Sequence, residues 1–483
     1  MPQTSCMLGP TSLPRRTALA HGLGIAGLLS GPAMPLHAAT RLEVGNVTRL
    51  YSVEVARIVV PTSAAEVARA LSAWPGQVGV GGGRYSMGGQ VAVRGGLHLD
   101  MRALNRLVWL KPGERLVRVQ AGMRWRDLQD HLDPLGLAVK TMQSYSNFTV
   151  GGSVSVNCHG RYVGHGPVGH SVRALQLVTA AGAIIELNPT SRPELFAAAI
   201  GGYGAVGVIT EVELEVVDNV RIRRAVQSVD LIDYVEHFKT KVIADPSAVL
   251  HNADLSPPGF DAPVSITWHR VDQDTPLTEP ARLTARGQKY ALEQNVIWLM
   301  TELPGGELLR KAVIHPLLTA KPAVKWLNHE ASLDAAELEP RTRALSTYVL
   351  QEYFIPEANF LAFARSMAAI LQRHAVEALN VSIRHSPADR VSALPWARSD
   401  MFSFVLYYKQ RTWASAREQV AVWTRKLIEL ALGCEGRYYL PYQLLARPDQ
   451  FQRAYPEVQE LRRIKRAIDP SNKLTNELWR NYL

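Results

Sequence analysis

The stretch Val80-Gly81-Gly82-Gly83-Arg84-Tyr85-Ser86-Met87-Gly88-Gly89-Gln90 decides how this chain is read. Five of the nine residues from 81 to 89 are glycine. Few side chains stand in the way there, so the backbone can take positive φ and approach a ligand closely. Successive N–H groups in such a turn form a concave nest for an anion, most often a phosphate. The spacing is neither that of a P-loop nor of Gly-x-Gly-x-x-Gly before a helix. Alone, the stretch is equally a flexible hairpin turn.

Working outward, a strand over 77–80 precedes the loop and an alternating one with Leu97, Leu99 and Met101 follows it. Ile58-Val59-Val60-Pro61 reads as a strand end, and Ser63 with Glu66 has capping-box spacing at the start of a helix running to about Ala73. Glu114 to Gln120 alternates as a strand, and Trp125 to Leu132 reads as a short helix. A second glycine stretch runs from Val150-Gly151-Gly152 through Cys158-His159-Gly160 and reads as loop. A hairpin follows, turning at Ala181-Gly182. A helix from Glu194 leads into the third cluster, Gly201 to Gly207. Beyond it Val212, Leu214 and Val216 alternate with Glu211, Glu213 and Glu215, a strand apolar on one face.

A change of texture near Asp218 marks a domain boundary. Beyond it glycine thins out, and strands over 249–254, 265–271, 346–354, 379–384 and 402–408 alternate with helices over 357–374 and 412–432. The predicted division is an export signal over 1–39, a first domain over 40–217, a second over 218–435 and a returning tail over 436–483.

The chain has 483 residues, 47% of them apolar and 20% charged, which is ordinary globular composition. Its formal charge of +10 is mild for this length, and no dense basic run with interleaved aromatics occurs, so nucleic acid is not an expected partner. Arg15-Arg16 precede a weakly apolar run from Thr17 to Leu29 and a small-residue site near Ala38-Ala39. This pattern predicts twin-arginine export to the periplasm. Only an uncleaved signal would hold the chain at a membrane. Cys158 and Cys434 remain after the signal, which is no disulfide framework. His159, His165 and His170 lack partners at metal-site spacing, so no metal is expected.

The three glycine clusters, taken together, resemble the FAD-binding domain of the p-cresol methylhydroxylase (PCMH) / vanillyl-alcohol oxidase superfamily. Val150 to Arg161, Leu350-Gln351-Glu352-Tyr353-Phe354-Ile355-Pro356, and Tyr455-Pro456 with Lys465 to Pro470 are most similar to its decaprenylphosphoryl-ribose oxidase and alditol oxidase branch. The resemblance implies an α+β chain: a two-subdomain PCMH-type FAD-binding domain plus an antiparallel-sheet substrate domain roofing the flavin. It implies that Gly81, Gly82, Gly83, Arg84, Tyr85, Ser86 and Gln90 wrap the pyrophosphate. Val150, Gly151, Gly152, Ser155 and His159 would line the ribityl chain and ring edge, Ile209 would touch the cofactor through its backbone, and the tail would bring Tyr439 to the flavin. Some members attach FAD through a His in the first loop or a Cys before Val-Gly-Gly. Here positions 84–86 are Arg, Tyr and Ser and position 147 is Asn, which predicts non-covalent FAD.

The implied activity is hydride transfer from a CH–OH donor, a sugar, alditol or lactone, to flavin N5. The acceptor is oxygen, a quinone or a periplasmic carrier. The substrate's proton needs a base, and the candidates are His159, Tyr439, Tyr442 and Lys409. Relatives carry a Lys where this chain has Tyr442, so Tyr442 is expected to handle the proton, which requires a depressed pKa. Gln351 shares a strand face with Tyr353 and is expected to bind a substrate hydroxyl. A 2-hydroxy-acid or cytokinin-type amine dehydrogenase of the same fold is the alternative enzyme, and a non-catalytic flavin-binding protein the alternative outside enzymes.

Overall fold

The structure is a computed structural model that describes residues 41–287, 322–335 and 343–483. The export signal read in the sequence lies outside the described residues. Helices and sheets interleave as an α+β fold, in which a two-stranded ribbon, Leu42–Gly45 with Ser52–Val55, and two larger but still small sheets precede a large antiparallel one.

Three strands form a parallel sheet in the order Arg57–Val59, Leu97–Asp100, Val78–Gly81. Parallel neighbours require a crossover, and the helix Ala64–Ala73 supplies one, burying Val67 and Leu71. Ser63 Oγ accepts from the Glu66 N–H at 3.2 Å. The Glu66 carboxylate reaches back to the Thr62 N–H at 2.8 Å, so the return bond falls one residue earlier than in a capping box. The strand Val78–Gly81 opens directly into the glycine loop. Gly82 is required there by close approach, because a Cβ on it would sit 2.2 Å from Thr149 Oγ1.

The second sheet is antiparallel, in the order Ile184–Leu187, Val172–Val178, Val208–Asp218, Leu116–Gln120, Leu107–Lys111, with Leu137–Val139 paired to the far end of Val208–Asp218. The alternation read in its longest strand is explained by its two faces. Val212, Leu214 and Val216 are buried, while Glu211 accepts from Arg118 Nε at 2.7 Å and Glu215 from Lys140 at 2.6 Å. Gly151 and Gly152 lie in a short helix, Val150–Ser155, and not in the loop expected from their composition. Tertiary packing overrides propensity here: a Cβ on Gly151 would meet the Ala121 Cβ at 2.5 Å, so only glycine lets this helix sit against the strand end.

Asp218 ends the second sheet and Arg221 begins the third. The third sheet has eight antiparallel strands, in the order Val324–Trp326, Arg221–Ser228, Val264–Arg270, Ala248–Leu255, Ala378–Ser386, Met401–Arg411, Ser346–Pro356, Arg437–Tyr438. The strand Arg221–Ser228 carries no clean apolar alternation, with Arg at 221, 223 and 224, and the sequence reading passed over it. Phe360 and Phe363 of the helix Phe360–Arg373 pack on Phe402 and Phe404, with ring centroids about 5 Å apart, and cover one face of this sheet. The other face is turned to the cavity described below.

The tail returns to the first two sheets. Val78 N–H donates to Lys473 O at 2.7 Å, and Trp479 Nε1 donates to Gly202 O at 3.1 Å. Lys465 Nζ donates to Asp469 at 2.9 Å and to the carbonyls of Ala205 at 2.9 Å and Leu474 at 2.7 Å. Both side chains of this pair are buried. Removing one partner of a buried pair leaves an uncompensated charge. Lys465→Met is therefore expected to lower the free energy of unfolding by about 3 kcal/mol, read as a fall in the urea midpoint at unchanged m.

Candidate active site

One cavity of about 860 Å³ runs between the glycine loop and the eight-stranded sheet. Four pieces of chain enclose it: the glycine loop, the segment from Thr149 to Arg161, the loop and strand start from Tyr203 to Ile209, and the tail at Tyr439 to Tyr442. The uncovered face of the large sheet closes it from above.

The structure brings most of the expected cofactor residues to this wall. Gly82, Gly83, Arg84, Tyr85, Ser86, Gln90, Gly151, Gly152, Ser155, His159, Ile209 and Tyr439 all line it. Gly81 and Val150 do not. Gly81 is the last residue of its strand and stands against the His98 ring, and Val150 is fully buried in the apolar core. Arg84 is held by Asp100 at 2.9 Å. Tyr85 stacks on Phe148 with centroids 4.0 Å apart. Gln90 ties the loop to the tail, its Nε2 donating to the carbonyls of Leu440 at 2.8 Å and Tyr442 at 2.7 Å.

The titratable centre of the wall is His159. Its Nε2 lies 2.5 Å from Glu352 Oε1, and both side chains are buried. Burial raises the Glu352 carboxyl, but its close contact and hydrogen bond with His159, then the Arg384 charge, outweigh it and hold the group below its usual range. Glu352 is therefore ionised and accepts the Nε2–H. That leaves His159 Nδ1 as the second nitrogen, buried and without a protein partner among the described residues. Trp396 packs on the imidazole at a centroid distance of 4.7 Å and fixes its plane.

Tyr442 OH donates to the other oxygen of Glu352 at 3.2 Å. Burial and then the Glu352 charge push its phenol well above the ordinary value. This corrects the expectation of proton handling by Tyr442, because the tyrosinate it requires is disfavoured by both effects. Burial likewise raises Tyr439, whose OH donates to Val156 O at 2.8 Å. Lys409 is buried away from the cavity and pairs with Glu377 at 3.3 Å. Burial pushes the Cys158 thiol up to about 12, and it donates to Gln143 Oε1 at 3.1 Å. Among the described residues, no group of three His, Cys, Asp or Glu side chains converges as metal ligands.

Gln351 is also corrected. It does share a face with Tyr353, whose OH donates to Gln351 Oε1 at 2.5 Å. That face looks away from the cavity: Gln351 Nε2 donates to Thr424 Oγ1 at 2.7 Å, on the helix Ala414–Gly433. Strand parity places Tyr348, Leu350 and Glu352 on the cavity side instead. The same parity brings Asn252, Asp254, Asn380, Ser382 and Arg384 from two neighbouring strands onto the roof. Asp254, Ser382, Val405 and Glu352 form one row in register across four strands. Sequence reasoning missed these residues; the polar positions in Asn380-Val381-Ser382-Ile383-Arg384 were the signal, alternating with buried apolar ones.

The site fits a flavin nucleotide. Its volume lies within the range of cofactor pockets, and it is lined by a glycine-rich backbone that leaves room for close approach. Arg84 Nε, Ser144 Oγ and His159 Nδ1 are buried polar atoms of lining residues that lack a protein partner among the described residues. Such atoms are costly unless a ligand satisfies them.

Residues 55–188 match the FAD binding domain family. The chain is similar to an alditol oxidase of a Streptomyces species, 26% identical over 88% of this chain and 94% of the relative. It is also similar to the L-gulonolactone oxidase of Bos taurus, 32% identical over 38% of this chain. A third relative is the decaprenylphosphoryl-beta-D-ribose oxidase of Mycolicibacterium smegmatis, 37% identical over 25% of this chain. The match spans 42% of the second relative and 27% of the third.

Beneath the glycine loop, His98 accepts from Arg84 Nη2 at 3.2 Å and donates through Nδ1 to Val91 O at 3.1 Å. Burial, reinforced by the Arg84 charge, pushes the imidazole down to about 4. An unfolded His titrates near 6.5. Between these values the unfolded chain binds a proton that the native one refuses, so stability falls as pH drops through this window. The loss is expected to reach about 3 kcal/mol below pH 4. His98→Gln is expected to flatten this part of a pH series of urea unfolding curves.

Proposed function

We propose that this chain, which carries a PCMH-type FAD binding domain, is an FAD-linked oxidoreductase acting on a CH–OH donor of the sugar, alditol or lactone class. One observation carries the reading: a buried imidazole–carboxylate pair lines the cavity directly below a roof of hydrogen-bonding side chains. The relatives, oxidases of an alditol, a lactone and a lipid-linked sugar, support the same chemistry.

The residues divide the work as follows. The loop from Gly82 to Ser86 offers its backbone, with Arg84 beside it, to the cofactor's phosphates. Gln90 locks that loop to the tail. Bound in this cavity, FAD would supply the hydride acceptor that the oxidation requires. Asn252, Asp254, Asn380 and Ser382 orient the substrate hydroxyls by hydrogen bonds from the roof. His159 takes the hydroxyl proton on Nδ1. Glu352 holds the imidazole in the Nε2–H tautomer and stabilises the imidazolium that forms. Tyr442 fixes the second oxygen of Glu352 as a donor.

FAD is held without a covalent bond in this reading. No His or Cys stands at 84–86 or at 147, and the Cys158 thiol is protonated and committed to Gln143. Acid precipitation of the holoprotein is expected to leave the yellow flavin in the supernatant. The twin arginines at 15–16 support export to the periplasm, tested by fractionation of cells expressing the full chain.

Mutant kinetics test the proton step. His159→Ala and Glu352→Gln are each expected to slow substrate-driven flavin reduction about 100-fold or more while retaining FAD. Tyr442→Phe, which removes only an orienting donor, is expected to cost less than about tenfold. Unchanged reduction in His159→Ala would remove the assignment of the base.

A further inference from the structure

Arg384 is the roof residue that the proton chemistry does not use. It lies on the strand Ala378–Ser386, in register with Ser403, and its side chain lines the cavity. The charge of Glu352 acts on its guanidinium, but its Nε is buried with no partner among the described residues. The facing carboxylate, Glu352, has both oxygens engaged, one by His159 and one by Tyr442. Arg161, on the opposite wall, adds a second positive charge. It is already paired with Glu330 at 2.8 Å, and it repels Arg384. Arg84 is matched by Asp100 and belongs to the glycine-loop end.

A partly buried guanidinium whose facing carboxylate is already held by two other donors gains from a ligand that brings a counter-ion of its own. A neutral polyol offers only dipoles. An oxyanion offers charge and two acceptors in the planar spacing that a guanidinium recognises. The roof also sets a direction. Asp254 and Arg384 lie on adjacent strands, and the carboxylate end repels an anion while the guanidinium end attracts it. We propose that the cavity takes an anionic polyol, a sugar acid or a sugar phosphate, with its charged group on Arg384 and its hydroxyls toward Asp254, Asn380 and Ser382. The inference rests on the oxidoreductase reading for its choice of a polyol, but the anion site stands on geometry alone.

The test is a binding titration of the FAD-loaded protein, followed by perturbation of the flavin absorbance, with sorbitol, gluconate and sorbitol 6-phosphate as probes. At least one anionic probe is expected to bind about tenfold or more tighter than sorbitol. Preference for gluconate alone identifies a carboxylate, and preference for the phosphate alone identifies a phosphate ester. Arg384→Met is expected to erase the advantage, with sorbitol binding and FAD content unchanged, and Arg384→Lys to restore part of it. Anions that bind no tighter than sorbitol overturn the proposal. So does an Arg384→Met protein that loses FAD or weakens sorbitol equally. An Arg384-dependent anion preference in a protein whose flavin no probe reduces keeps this site and discards the oxidoreductase reading. Reduction by sorbitol without anion preference does the reverse.

Discussion

A single buried carboxylate joins the parts of this molecule that have to meet. Glu352 belongs to the large antiparallel sheet, accepts from His159 of the second glycine segment, and accepts again from Tyr442 of the tail. An ionised carboxylate without water is unfavourable, so its two donors are obligatory. The sheet therefore cannot sit over the glycine segment in any register that separates Glu352 from His159. A shift of one residue would exchange Glu352 for Gln351 or Tyr353, which face the helical side.

Around that centre the cavity is assembled from pieces with different physical demands. The glycine loop is defined by what it lacks: at Gly82 the space a side chain would occupy belongs to Thr149. The roof is defined by what it presents, a set of polar side chains on one face of strands whose other face is sealed by aromatic packing on helix Phe360–Arg373. The tail then pins the two smaller sheets through the Lys465 network. Each wall is rigid for a separate reason, and that suits a site whose groups need fixed positions.

Much of this was legible in the sequence. Glycine density marked the cofactor wall because no other residue permits such close approach. The strand through Val212, Leu214 and Val216 was legible because one face is buried and the other carries glutamates. The strand Arg221–Ser228 was not, since its arginines hide the period. The helix at Val150–Ser155 was not either, since its glycines serve packing against Ala121 and not helix propensity. At the roof of the cavity the reading reached the right strand and chose the wrong parity. Gln351 and Tyr353 do share a face, as period two requires, but nothing local to Leu350-Gln351-Glu352-Tyr353 says which face meets the cavity. Only the helix packed on Gln351 and the distant His159 decide that, and neither is adjacent in the chain.

The bond from Gln90 to the carbonyl of Leu440 closes the cofactor wall across 350 residues of intervening chain. Contacts of such separation form late, after the local hairpins and helices and after the entropy of closing a long loop has been met. The glycine loop consequently spends the early part of folding as an open, unbraced nest. Tight retention of the flavin belongs to the last stage of assembly, when the tail docks, and the nucleotide itself favours that docking by binding only the closed form.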